Sequence, residues 1–190
     1  MRRAVFLDRD GVLTALVVDG SGRPESPLRV EDVALLPGAA AAAARLVAGG
    51  YLLVGVSNQP AAAKGTVSLA QLEAVQARSR ELLAAAGVEF ASFELCLHHP
   101  SAVVEELSGP CDCRKPAPGM LLRAAVRLDL NLASSWMVGD SDSDILAGHG
   151  AGVRTILIEH PASAHRRSGS AAPDATASDL DAAADVITGR

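Results

Sequence analysis

Aromatic side chains are scarce in this 190-residue chain: one Trp, one Tyr and three Phe make up 3% of it. So few rings leave no stacking platform for bases, which argues against nucleic acid and against a nucleotide or lipid-linked ligand. A formal charge of −5, from 17 basic and 22 acidic residues, points the same way, because polyanions and anionic membranes attract basic surfaces. Lysine is rarer still: Lys64 and Lys115 stand against fifteen arginines. The three cysteines are an odd number, and two of them form a Cys-x-Cys, which argues against a disulfide framework. Long apolar runs are missing too. The strongest, residues 33–49, is broken by Pro37, Gly38 and Arg45, short of the ~20 residues that span a bilayer. At the N-terminus, Asp8, Arg9 and Asp10 stop the apolar run too early for a secretory signal. The expectation is a cytoplasmic monomer without membrane or nucleic-acid partners.

What is present suits one α/β domain, residues 1–190, with enough apolar content (49%) to fill both faces of a sheet. Short apolar runs at 4–7, 52–56, 93–96, 135–138 and 153–158 predict strands. Helical patterns at 38–49, 68–86, 118–129 and 142–151 lie between them, with a small last helix near 178–184. This alternation predicts a doubly wound, Rossmann-like, mostly parallel sheet with helices on both faces. Ser68 and Gln71 have capping-box spacing. Leu69, Leu72, Val75, Leu82 and Leu83 then read as a core stripe, as do Leu121, Leu122, Ala125 and Leu128. Residues 14–32 predict a loop or short ribbon. The Ser/Ala/Pro-rich stretch 161–175 predicts a mobile surface loop.

In such a sheet, ligands bind beyond the carboxyl ends of the strands. Asp8-Arg9-Asp10-Gly11 follows the first strand, Ser57-Asn58-Gln59 the second, and Gly139-Asp140-Ser141-Asp142-Ser143-Asp144 the fourth; Arg114-Lys115 precedes the third helix. Carboxylates drawn together from separate segments repel unless a cation neutralises them, and hard oxygen ligands suit Mg²⁺. Lys115, a Ser hydroxyl and backbone amides complete a cradle for a phosphoryl group, and Asp is a competent nucleophile for phosphorus. Asp142 reads as solvated. Ser141-x-x-Asp144 reads equally as a helix cap, so a structural role for Asp144 stays open.

These four segments, in order, resemble the haloacid dehalogenase superfamily on its phosphatase side. The resemblance implies a phosphomonoesterase in which Asp8 is the nucleophile and Asp10 the general acid/base, with Ser57 and Lys115 completing the catalytic set. It implies Mg²⁺ on Asp8, the main-chain carbonyl of Asp10, and Asp140. Asn58, Gln59, Arg114 and Lys115 are expected to bind substrate. The short intervals between motifs imply no cap domain.

Cys96-Leu97-His98-His99, with Cys111-Asp112-Cys113 beyond it, offers three thiolates and an imidazole, the donor set of a closed structural Zn²⁺ site. The expected ligands are Cys96, His98, Cys111 and Cys113, with His99 open as an alternative to His98. The run through Arg114-Lys115-Pro116 resembles the D-glycero-D-manno-heptose-1,7-bisphosphate phosphatases and the related histidinol-phosphate phosphatases. The implied partner is a small phosphorylated metabolite, the heptose 1,7-bisphosphate losing its 7-phosphate, with histidinol phosphate as the alternative. A phospho-acceptor module is the non-enzymatic rival, and Asp10 tells against it, since only turnover needs an acid/base beside the nucleophile. Thr14-Ala15-Leu16, residues 23–27 and Pro60 depart from the heptose pattern where the sugar would be touched. A second phosphate would need a further cationic contact, for which Arg114 and Lys64 are available.

Overall fold

The computed structural model describes every residue except 19 and 21. Six strands form one parallel sheet: β1 (Ala4–Leu7), β4 (Leu52–Asn58), β5 (Ser92–Cys96), β6 (Trp136–Gly139), β7 (Arg154–Ile158) and β8 (Ala175–Ala177), in spatial order β5-β4-β1-β6-β7-β8. A separate two-residue ribbon pairs β2 (Val17–Val18) with β3 (Pro24–Glu25). Alternation along the strands fills two cores. On one face Val5, Leu7, Leu53, Val138 and Ile156 pack with α1 (Ala39–Ala48) and α5 (Leu180–Thr188). On the other, Ala4, Phe6, Val54, Val56 and Met137 pack with α3 (Gly119–Leu128) and α4 (Asp142–Ala151). The fifth helix, α2 (Leu69–Ala85), buries Leu72, Val75 and Leu83. Small residues let α1 and α5 approach, with Ala42, Ala43, Ala183 and Ala184 all fully buried. Arg45 on α1 pairs with Asp181 and Asp185 on α5.

Several expectations need correction. Leu69 and Leu122 are exposed: Leu69 is the first residue of α2, where the helix begins, and Leu122 lies one position past the buried Leu121. Ser68 does cap α2, its Oγ accepting from the Gln71 N–H at 3.2 Å, but the Gln71 amide donates to Leu28 O instead of closing a capping box. The stretch 161–175 is built into the fold. It opens with a 3-10 helix, Pro161–Arg166, and leads into β8, which pairs with β7. Asp142 is not solvated: Ser168 and Ser170 both donate to its Oδ2, through Oγ at 2.6 and 3.0 Å, and its exposure is 8%. Apolar periodicity is silent about such a segment, because serines and arginines anchor it. Among the described residues, no helix is long and apolar enough to cross a membrane.

The chain leaves β1 toward β4 and β5 on one side, then returns to place β6 on the other. The crevice at this reversal lies between the carboxyl ends of β1 and β6, where Asp8 and Asp140 stand. The packing beneath gives a control for later substitutions. Leu46, fully buried between α1, α5 and the sheet, should cost about 2–5 kcal/mol as Leu46→Ala, read as a lower urea midpoint at unchanged slope.

Candidate active site

Asp8 stands one residue past β1, its N–H donating to Val138 O at 3.0 Å, so the ladder to β6 continues into the site. The turn after it closes on Gly11, whose N–H donates to Thr14 O at 2.8 Å. Gly11 has φ +95°, and a Cβ there would sit 2.0 Å from Asp140 Oδ2. Only glycine permits this backbone and this approach.

Lys115 reaches the crevice from the segment before α3. Its ammonium donates to Asp8 Oδ1 at 2.9 Å and to Val56 O at 2.8 Å, and lies 2.5 Å from Asp144 Oδ1. Asn58 fixes the lysine's backbone, accepting from its N–H and donating to its carbonyl, both at 3.0 Å. Burial works against the ammonium, yet Asp144 and Asp8 push its pKa above the usual value. Asp144 also receives Ser141 N–H (3.1 Å) and Oγ–H (2.7 Å), so it caps α4 and holds Lys115 at once.

Asp10 is held differently. Arg9, only 1% exposed, donates Nε to Oδ1 at 2.9 Å and Nη2 to Oδ2 at 2.8 Å. Thr14 Oγ1 (2.9 Å) and Gln59 Nε2 (2.7 Å) add two donors. Burial alone would raise the Asp10 pKa, but the Arg9 charge together with the hydrogen bonds from Arg9, Gln59 and Thr14 outweighs it, and the carboxyl stays below its usual value. The sequence reading did not single out Arg9 or its second partner, Gln76 of α2, which accepts from Nη1 at 2.9 Å. Gln76 could have signalled the pair, as a polar residue on the buried face between Leu72 and Leu83.

A cavity of about 490 Å³ opens above these groups, lined by Asp8, Asp10, Ser57, Asn58, Arg114 and Lys115, with Lys64 and Arg166 also on its walls. Gln59, expected on the substrate side, does not line it: the amide is buried, bridging Asp10 and Ser57 Oγ (2.9 Å). Arg166 is a further residue the sequence reading passed over, because it lies in the stretch read as mobile.

At the end of β5 the three cysteines converge. Cys96 Sγ lies 3.8 Å from Cys111 Sγ and 2.8 Å from Cys113 Sγ, and His98 Nδ1 is 3.4 Å from Cys113 Sγ. All four ligand atoms fall within 4.8 Å of one another. His99 turns away, its Nδ1 accepting from Ser101 N–H at 3.0 Å, so the ring facing the thiols is that of His98. Three sulfurs and one imidazole nitrogen are the donor chemistry of closed zinc sites.

A family profile described as HAD-hydrolase-like matches residues 112–183. The chain is 38% identical over 160 residues to the D-glycero-beta-D-manno-heptose-1,7-bisphosphate 7-phosphatase of Pasteurella multocida (strain Pm70), covering 84% of this chain and 83% of that protein. The chain belongs to the haloacid dehalogenase-like phosphatases. It is also 38% identical over 155 residues to the protein of the same name from Escherichia coli (strain K12), covering 82% of this chain and 78% of that one. The D,D-heptose 1,7-bisphosphate phosphatase of B. bronchiseptica, in a structure complexed with magnesium and phosphate, matches with a TM-score of 0.81 and 29% identity over 98% of both chains.

The phosphatase's own carboxylates fit a divalent cation. Asp8, Asp140 and Asp144 offer oxygens within 4.8 Å of one another, and Asp140 Oδ1 is buried without a hydrogen-bond partner. Burial, then the charge of Asp8, raises the Asp140 pKa to about 8; burial, partly offset by Lys115, raises Asp8 to about 6. Acids that bind protons more tightly folded than unfolded contribute stability that is complete below the unfolded value and lost as pH climbs through the folded one. The metal-free phosphatase should therefore lose melting temperature between about pH 4 and pH 8, and the increment from Mg²⁺ should be larger at pH 8 than at pH 5. Thermal melts with and without Mg²⁺ check this, and a metal-free profile that rises across the window would contradict it.

Proposed function

We propose that this phosphatase removes the 7-phosphate of D-glycero-D-manno-heptose 1,7-bisphosphate through an aspartyl phosphate on Asp8. The observation that carries this reading is the buried Asp8 carboxylate, pinned by Lys115 on the floor of a cavity whose mouth carries Arg114 and Lys64. The 38% identity to heptose bisphosphate phosphatases supports the substrate class. The two mouth cations suit a substrate with a second phosphate, a demand that histidinol phosphate does not make.

In this reading Asp8, the Asp10 carbonyl and Asp140 hold Mg²⁺, which when bound offsets the negative charge of the phosphoryl oxygens. An Asp8 oxygen attacks phosphorus while the sugar oxygen leaves with a proton from Asp10. Water then attacks the aspartyl phosphate, gives its proton to Asp10, and frees phosphate and the Asp8 carboxylate. Lys115 offsets charge on Asp8 throughout, and Ser57 and Asn58 stand where the phosphoryl oxygens and the lysine backbone need donors. To carry the proton it delivers, Asp10 must first leave the Arg9 fork, which lowers its proton affinity and holds it as an anion. The domain spans the whole chain, and we read the ribbon and the 161–170 segment as framing the site in place of a separate cap.

Asp8→Asn should keep the fold and lose phosphate release from the heptose bisphosphate, because an amide cannot attack phosphorus. Asp10→Asn should slow turnover by roughly 10²–10⁴-fold, more for a sugar phosphate than for an activated aryl phosphate. Phosphate release by Asp8→Asn within tenfold of the parent would sink the nucleophile assignment, and faster release from histidinol phosphate would move the substrate assignment.

Zinc on Cys96, His98, Cys111 and Cys113 belongs to the same reading, as a structural ion that fixes the residues just ahead of Arg114 and Lys115. Elemental analysis of protein purified without metal resin should find about one zinc per chain, lost in Cys111→Ser together with activity that added Mg²⁺ does not restore. Zinc-free parent protein of full activity would rule the site out.

A further inference from the structure

Arg166 ends the 3-10 helix Pro161–Arg166 and stands on the cavity wall. Its Nη1 donates to the main-chain carbonyl of Asp10 at 3.1 Å and to Asp140 Oδ2 at 3.4 Å. Those are two of the three groups that the functional reading gives to Mg²⁺. Its Nη2 lies 3.9 Å from Glu25 Oε2 on the ribbon, and the side chain is 18% exposed.

The segment that carries it is anchored on both sides. Arg167 donates to Asp140 O (3.4 Å), Ile158 O (3.3 Å) and Ser163 Oγ (2.9 Å) through Nη1, and to His160 O (3.2 Å) through Nη2. Ser168 follows with its N–H (2.7 Å) and Oγ (2.6 Å) on Asp142 Oδ2. Arg166 is therefore delivered to the carboxylates by a built wall of the cavity. Of the other cations buried here, Lys115 is committed to Asp8 and Asp144, and Arg9 to Asp10. Asp140 keeps one buried oxygen with no partner, and its other oxygen pairs with Arg166.

We propose that Arg166 is a resident counter-ion at the Mg²⁺ position, neutralising Asp140 and donating to the Asp10 carbonyl while the ion is away, and competing with it for those oxygens. This rests on the phosphatase reading above and concerns how its metal site is regulated. The contacts suit exchange. At 3.1 and 3.4 Å they are longer than the 2.7–2.9 Å typical of charge-assisted hydrogen bonds, whereas Mg²⁺ binds oxygen at about 2.1 Å. A guanidinium and a divalent ion cannot share Asp140 Oδ2 and the Asp10 carbonyl at those distances without strong repulsion. When Mg²⁺ takes the oxygens, Arg166 is freed toward Glu25 and the cavity, where a phosphate would meet it. The proposal also explains why an otherwise polar segment is worth ordering: it keeps four clustered carboxylates compact before metal arrives.

The deciding experiment is calorimetric titration of Mg²⁺ into metal-stripped full-length protein, with folding checked by circular dichroism. Arg166→Gln keeps a donor but removes the charge, and should bind Mg²⁺ more tightly by roughly tenfold while melting lower in the metal-free state. Arg166→Lys keeps the charge and should stay within about threefold of the parent. A wild-type measurement needs no substitution: Mg²⁺ alone should speed amide exchange in 163–167 as the arginine lets go. Equal or weaker Mg²⁺ binding by Arg166→Gln, or slower exchange in 163–167, would overturn the competition while leaving the phosphatase reading intact. Failure of parent and variants alike to bind Mg²⁺ would overturn the reading of the metal site and this inference with it.

Discussion

Lys115 carries its charge to a place where the residue is 3% exposed, and it is tolerated there because Asp8 and Asp144 receive it. Desolvating an ammonium costs several kcal/mol, and removing one partner of such a buried pair typically costs about 3–5 kcal/mol. The surrounding architecture serves that requirement. Val56 O at the end of β4 takes a third ammonium hydrogen, Asn58 clamps the lysine backbone, and Cys113 two residues earlier joins the sulfur cluster. Each partner comes from a different stretch of chain, so the lysine can be satisfied only when β1, β4, α4 and the cysteine loop are all in place. Folding and assembly of the site are in that sense one event.

With Lys115 settled, the remaining carboxylates fall into two environments. Asp10 is given a guanidinium fork and two neutral donors, which hold it as an anion with its oxygens satisfied. Asp8 and Asp140 are left undercompensated, and their proton affinities rise accordingly. Neighbouring acids whose environments drive their pKa values apart are the usual means of assigning separate tasks to chemically identical groups. Here the division is between a carboxyl held as an anion by its own donors and carboxyls left short of positive charge.

The sheet was legible because each central strand is apolar on both faces, as in Ala4–Leu7 and Trp136–Gly139, which is how buried parallel strands must read. The acidic motifs were legible because a strand's end in an open sheet marks the ligand rim. The cysteines were legible because thiolate and imidazole spacing carries its own chemistry, although choosing His98 over His99 needed the fold. What could not be read were contacts made by polar side chains across long separations. Asp142 with Ser168, Asp140 with Arg166 and Arg9 with Gln76 lie 26, 26 and 67 residues apart. Nothing periodic records such pairs. A Ser- and Arg-rich stretch without an apolar stripe, such as 161–175, reads as a loop until its acidic partners are in place.

That same stretch alters how the start of α4 should be understood. Asp140, Asp142 and Asp144 lie within five residues, at the positive end of a helix, where the dipole favours anions. The dipole alone would not separate their roles; their partners do. Asp144 turns to the cap and Lys115, Asp142 to the serines of the 161–170 wall, and Asp140 to the crevice beneath Arg166. The wall thereby gains its anchor from the helix that presents the crevice carboxylate, so it cannot detach without freeing Asp142 and exposing Asp140. Glu25 extends the same chain of contacts to the ribbon on the opposite lip. Changes in the ribbon are thus coupled through Glu25 and Arg166 to the acidic floor.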